Sequence, residues 1–214
     1  MAINRVFIDS RVNDKELLIS QFTSGTEYQV LDANRDGIEQ IVTALSGQSG
    51  YDSIQIISHG APGSITIGSI ELNISKLDFY AAQLSLIGNA LHENGDLLLY
   101  GCSVGAGDQG QHFIEALSQM TGADIAASDD MTGGVPAGGD WELESFIGSI
   151  EAAVALDLFA QTSYSGILSS FTFEVEPNDR RIDATALPLL EDPAGGGLLL
   201  GRGMGNQDPA LNQN

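Results

Sequence analysis

Two short apolar runs in this chain end in side chains able to do chemistry. Ser53-Ile54-Gln55-Ile56-Ile57-Ser58 runs into His59 and Gly60. Asp96-Leu97-Leu98-Leu99-Tyr100-Gly101 runs into Cys102, with Ser103 and Gly105 just beyond. An imidazole can take the proton of a thiol, and the thiolate is the form of cysteine that attacks a carbonyl. Backbone N–H groups in tight glycine turns can hold the oxyanion that forms. Gly60 and the turn at Cys102 offer two such groups. The chemistry on offer is acyl transfer from a cysteine nucleophile. The same residues also have a packing reading, since free cysteine is often a small core residue and histidine often bonds a neighbouring carbonyl. Cys102 falls past its apolar run, in a turn, which weighs against simple burial.

A serine reading competes. Gly101-Cys102-Ser103-Val104-Gly105 has the letters G-x-S-x-G between a strand and a helix, the setting of a hydrolase elbow with Ser103 as nucleophile. Its histidine must come well after the serine, and the only later one is His112, on the very next helix. Gly105 to Gly110 matches G-x-G-x-x-G by letters. It lacks the early place in a βαβ unit and the acidic residue that a dinucleotide site needs. The loop Ser10 to Asn13 is equally short of the hydroxyls and glycines of a flavodoxin-like phosphate site.

The elements that must position His59 and Cys102 can be read from the pattern. Short Ile- and Leu-rich runs bounded by turn residues are buried strands of a parallel sheet, where chemistry gathers at the carboxyl ends. Strands are expected at 5–9, 27–31, 53–58, 97–100 and 123–127, with a strand-like Asp140 to Glu144 after a glycine-rich loop. Asn13 and Glu16 have the spacing of a capping box. Helices are expected after them, from Asp36-Gly37, over a long stretch from Leu77 to Leu91, and around Phe113 to Met120. Ser64 to Leu72 reads as a small hairpin around Gly68. Alternation at this pitch predicts a three-layer α/β/α sandwich with a mostly parallel sheet. If the third and fourth strands are neighbours, His59 and Cys102 end on the same rim.

Composition excludes several functions. Of 214 residues, 29 are acidic and 8 basic, for a net charge of −21. Nucleic acid and anionic membrane surfaces would repel such a chain. One cysteine allows no internal disulfide and no thiolate metal centre, and three scattered histidines make no zinc site. No metal site or cofactor is expected; the acidic clusters suggest calcium at most, and no EF-hand spacing is present. No apolar run nears the roughly 18 residues of a membrane span, so no membrane insertion is expected. The start, Met1 to Ile8, lacks a signal peptide's apolar core. The expected location is the cytoplasm, or outside the cell by a route without such a signal. From about Ser169 the chain turns polar and glycine-rich. The expected division is a domain at 1–168, then a linker and the incomplete start of a second domain at 169–214.

A strand ending in Ser58-His59-Gly60, a later one ending in Tyr100-Gly101-Cys102-Ser103, then Ala127-Ser128-Asp129-Asp130, resembles the caspase, metacaspase and gingipain clan of cysteine peptidases. More closely, about 6–166 resembles a bacterial family of uncharacterised domains at the N-terminus of very large, repeat-rich secreted or surface proteins. Phe7-Ile8-Asp9-Ser10, His59-Gly60-Ala61-Pro62-Gly63, Tyr100-Gly101-Cys102 and Gly139-Asp140-Trp141-Glu142-Leu143 carry that likeness. Glu176-Pro177-Asn178-Asp179, with Ala184-Thr185-Ala186, is similar to the start of a bacterial pre-peptidase C-terminal domain. The clan resemblance implies His59 as base, Cys102 as nucleophile, and the Gly60 and Cys102 amides as oxyanion donors. It also implies a specificity pocket from the loops after the first and fifth strands. Asp9, Asp129 and Asp130 lie there, and carboxylates would pair with an Arg or Lys of a polypeptide substrate.

Two functions follow as expectations. One is a caspase-like cysteine endopeptidase preferring basic residues before the cut bond. Its own parent chain is a candidate substrate, with Arg180, Arg181 and Arg202 as candidate sites. The other is an inactive domain of the same fold that serves attachment or sorting of a large surface protein.

Overall fold

The computed structural model of the chain describes residues 3–169 throughout, and beyond them 172–173, 189–191, 199–201 and 203–204. Two compact units are present, Met1–Ser170 and Phe171–Asn214. In the second, Thr172–Phe173 pairs parallel with Gly203–Met204, and Leu189–Glu191 pairs antiparallel with Leu199–Gly201. The pre-peptidase-like phrases and all three candidate arginines lie outside the described residues.

The first unit alternates strands and helices. In chain order these are β1 (Asn4–Asp9), α1 (Lys15–Ser20), β2 (Glu27–Leu31), α2 (Gly37–Leu45) and β3 (Tyr51–Ile57). A small antiparallel sheet follows, of β4 (Gly60–Ala61), β5 (Ser64–Ile67) and β6 (Ile70–Asn73). Then come α3 (Ile74–Leu77), α4 (Ala81–Ala90), β7 (Leu91–Tyr100), α5 (Gly107–Thr121), β8 (Asp124–Ala127), β9 (Ser145–Ile147) and α6 (Leu158–Ser163). The main sheet has the order β2-β1-β3-β7-β8-β9, parallel except for the antiparallel edge strand β9.

Alternation along each strand divides the core in two, because successive side chains point to opposite faces. Phe7, Ile54, Ile56, Leu97, Leu99 and Ile125 pack on one face with Ile38, Ile41, Leu84, Phe113 and Leu117 of α2, α4 and α5. Val6, Ile8, Ile57, Leu98, Tyr100 and Ala126 pack on the other with Leu18 of α1, Ala160 of α6, Trp141 and Tyr164. Each fully buried side chain of this size contributes roughly 1.5–3 kcal/mol. Helices thus cover both faces, and the three-layer α/β/α sandwich read from the sequence is the architecture.

Three local expectations give way. Asn13 and Glu16 form no capping box: the N-cap of α1 is Asp14, at φ 47° with no side-chain cap bond. The Asn13 carbonyl instead accepts from the Tyr164 hydroxyl. The long helix from Leu77 breaks into α3, a 3-10 turn at Asp78–Tyr80, and α4. The Tyr80 hydroxyl donates to Asp36 Oδ2 at this break, while Leu91 leaves the helix to pair with Tyr51. Asp140 to Glu144 is no strand. The Asp140 carboxylate accepts from the Glu142 N–H in a local turn, Trp141 turns into the core, and the edge strand begins only at Ser145.

Candidate functional site

The register of β3 against β7 sets the site. Ile54 lies opposite Leu97 and Ile57 opposite Tyr100, and Ser58 N–H donates to Tyr100 O. The two strands therefore finish level, and the residues that follow them, His59-Gly60 and Gly101-Cys102, share the carboxyl rim of the sheet. The adjacency that the sequence left as a condition is met.

Close approach is enforced by Gly60. A Cβ there would lie 2.5 Å from Val104 Cγ2 and 2.8 Å from Cys102 O, so no other residue fits without displacing the cysteine turn. The Gly60 and Cys102 N–H groups, expected as oxyanion donors, converge on one acceptor. Both donate to the Leu168 carbonyl oxygen, at 3.0 and 2.9 Å. Two amides on a single oxygen is the arrangement that stabilises a developing negative charge.

His59 is oriented from the loop after β1. Its Nε2 lies 3.3 Å from the Arg11 carbonyl oxygen. A carbonyl only accepts, so Nε2 carries a proton, and the neutral ring then presents its lone pair at Nδ1. Nδ1 is buried with no hydrogen-bond partner. Cys102 is 4% exposed and packs in the cluster of Tyr100, Trp141, Tyr164 and Leu168. Its thiol donates to Thr132 O at 3.5 Å. Burial pushes the thiol up to about 11, and the Asp130 carboxylate adds to the effect. The site as it stands is closed, with the sulfur protonated.

What closes it is the chain's own segment 166–169. Leu168 N–H donates to Thr132 O, and Gly134 N–H donates to Gly166 O, both at 2.9 Å. Ile167 bridges Gly133 antiparallel, and Ser169 bridges Gly60 parallel. The glycine-rich loop allows this: a Cβ on Gly134 would come within 1.6 Å of Tyr164 O. Leu168 itself is fully buried.

The three aspartates have different surroundings. Asp9 is wholly buried and accepts from Arg11 N and Nε at 2.9 Å, from Arg11 Nη2 at 2.8 Å, and from Gly68 N at 2.8 Å. Burial alone would raise its carboxyl, but the hydrogen bonds from Arg11 and Gly68 win and hold it below the usual value. That carboxylate is saturated by this chain's own donors, so the expected role of Asp9 in a basic-residue pocket gives way to a structural one. Asp129 and Asp130 are exposed beside Glu144. Burial, then the charges of Asp140 and Asp129, raise the Asp130 carboxyl.

Ser103 sits at φ 59° and gives both its N–H and its hydroxyl to Asp130 O, at 2.6 and 3.3 Å. Its hydroxyl bond goes to a backbone carbonyl, not to an imidazole. His112 lines a different cleft, with Gly63, Glu71 and Ile74.

Among the described residues, two clusters of carboxylates have oxygens close enough for one cation, Asp129-Asp130-Glu144 and Asp96-Asp124-Glu151. In the second, Asp96 Oδ2 accepts from Glu151 and Ala152 N–H. No helix among the described residues is long and apolar enough to cross a membrane.

Sequence reasoning missed Arg11, Thr132 and Leu168. Each meets His59, Cys102 or Gly60 through its carbonyl, and for that contact side-chain identity carries no signal.

A family model described as "Domain of unknown function (DUF4347)" matches residues 6–168. No curated protein matches the chain. A solved structure described as "Crystal structure of a small-chain dehydrogenase" aligns at a TM-score of 0.32 and 9% identity, over 56% of this chain and 77% of that one. That likeness is too slight to carry a functional argument.

Proposed function

Because this chain belongs to the DUF4347 family, a domain described only as of unknown function, we propose a function from its own residues: a caspase-like cysteine endopeptidase. Cys102 is the nucleophile, His59 the base through Nδ1, and the Gly60 and Cys102 amides the oxyanion donors. The observation that carries the reading is the convergence of those two amides on one peptide carbonyl. It stands beside an imidazole whose Nε2 is tied to a backbone oxygen and whose Nδ1 is left without a partner. The Arg11 carbonyl is a positioning group, since it fixes which ring nitrogen is basic.

The polypeptide substrate includes the parent chain. A preference for Arg or Lys before the cut bond would rest on Asp129 and Asp130. The chemistry as proposed uses only these protein groups, and calcium has no part in it. By its resemblance to domains of large surface proteins, we assign the chain to a secreted or surface protein.

The second reading, an inactive domain for attachment or sorting, is favoured by one observation. The thiol is buried and its cleft is filled by residues 166–169. Peptidyl ketone electrophiles with Arg or Leu next to the warhead separate the two, read by intact mass on the full chain. The peptidase gives one adduct at Cys102, lost in Cys102→Ala, or a shortened chain in wild type alone. A wild type neither labelled nor shortened, in step with Cys102→Ala, would overturn the peptidase and leave the attachment domain.

A further inference from the structure

We propose that residues 166–169 are the first substrate of this site, and that the bond cut is Leu168–Ser169, so the chain releases everything after residue 168. The inference rests on the cysteine-peptidase reading above and names its substrate.

Three observations carry it. First, the oxygen held by both oxyanion amides belongs to Leu168, so the Leu168 carbonyl is the one those two donors polarise. Second, the segment before it runs as an added strand. Gly134 N–H binds Gly166 O, Leu168 N–H binds Thr132 O, and Ile167 bridges Gly133 antiparallel. Main-chain pairing of an extended peptide with an exposed edge is how proteins hold a substrate strand whatever its side chains. Third, the Leu168 side chain is fully buried in the same apolar cluster as Cys102, Trp141 and Tyr164. The pocket beside the nucleophile is thus apolar and already filled by a leucine, so the preference for Arg or Lys does not govern this first cut.

The step balances without any further reagent than water. The Cys102 thiol first turns from Thr132 O toward His59 Nδ1 and gives it the proton, and the sulfur adds to the Leu168 carbonyl carbon. The oxyanion stays on the Gly60 and Cys102 amides. The C–N bond to Ser169 breaks, and the Ser169 amine leaves with the proton from His59. Water, deprotonated by His59, then hydrolyses the Leu168 thioester, leaving a Leu168 carboxylate and the free thiol.

The test is intact mass and N-terminal sequencing of the purified full chain over time, beside Cys102→Ala, Cys102→Ser and His59→Ala, each checked by circular dichroism. The expected result is a piece ending at Leu168 and a new N-terminus at Ser169 in wild type. Both cysteine variants stay whole, and His59→Ala is slowed at least about 100-fold. Three results overturn the inference while keeping the peptidase: a wild type that stays whole but is labelled at Cys102, a cut at Arg180, Arg181 or Arg202, or a Leu168–Ser169 cut that persists in Cys102→Ala with labelling of the wild type. A chain neither cut nor labelled overturns both.

Discussion

The Nε2 of His59 lies 3.3 Å from the carbonyl oxygen of Arg11, which joins the ends of two neighbouring strands through one ring. Arg11 thereby does two unrelated things. Its carbonyl orients the imidazole, and its guanidinium neutralises the buried Asp9 carboxylate. Removing the side chain should damage the second and leave the carbonyl in place.

Arg11→Ala leaves Asp9 with backbone donors only. We expect a loss of about 2–3 kcal/mol at pH 7, less than for a fully buried pair because Arg11 is partly exposed. The sign of the pH dependence is set by the depressed Asp9 carboxyl. Its contribution is full above the unfolded value near 4 and is lost as pH falls through the folded value. Urea denaturation should therefore show the gap between wild type and variant shrinking below about pH 4. A gap that widens on acidification would contradict the assignment.

Cys102 should resist alkylation while the segment stays in place. With the thiol pushed up to about 11, roughly one part in a thousand is thiolate at pH 8. Iodoacetamide followed by mass spectrometry should show modification at least about 100-fold slower than for a free cysteine, with the difference abolished in urea. Rapid labelling of the folded, uncut chain would mean that the sulfur is open to solvent.

Gly60→Ala should cost about 1–3 kcal/mol, because the new methyl group meets Val104 and the Cys102 carbonyl. It should also remove peptidase chemistry by at least about 100-fold, since one oxyanion donor is displaced. Thermal melts and the mass assay read the two effects separately. A variant with unchanged stability would show that the turn can yield.

Asp130→Asn should raise the melting temperature by about 1–3 °C at pH 7. The Asp130 carboxyl is raised by burial and by its acidic neighbours, so its charged form is disfavoured in the fold. That penalty is present above the folded value and disappears below the unfolded one. The gain should accordingly vanish on acidification. The paired Asp129→Asn and Asp130→Asn variant should weaken labelling by an arginyl electrophile and spare a leucyl one. Equal loss of both would point to a role outside side-chain recognition.

Much of this protein is written in local pattern. The alternation of Val6-Phe7-Ile8, of Leu97 to Tyr100 and of Ile125 to Ala127 determines two-faced buried strands, because side chains must alternate across a sheet. His59 and Cys102 at the ends of two such runs mark one rim, because parallel strands finish together. What the one-dimensional pattern lacks is backbone partnership. Nothing in the letters of Arg11, Thr132 or Leu168 says that their carbonyls meet His59, the Cys102 thiol and the Gly60 and Cys102 amides. Nor does the spacing of Asp9, Asp129 and Asp130 reveal that Arg11 already holds the first of them. Carbonyl and N–H groups are the same in every residue that carries them, so only the path of the folded chain decides which of them meet. Here that path carries Leu168 back onto the rim, where its carbonyl meets the Gly60 and Cys102 N–H groups.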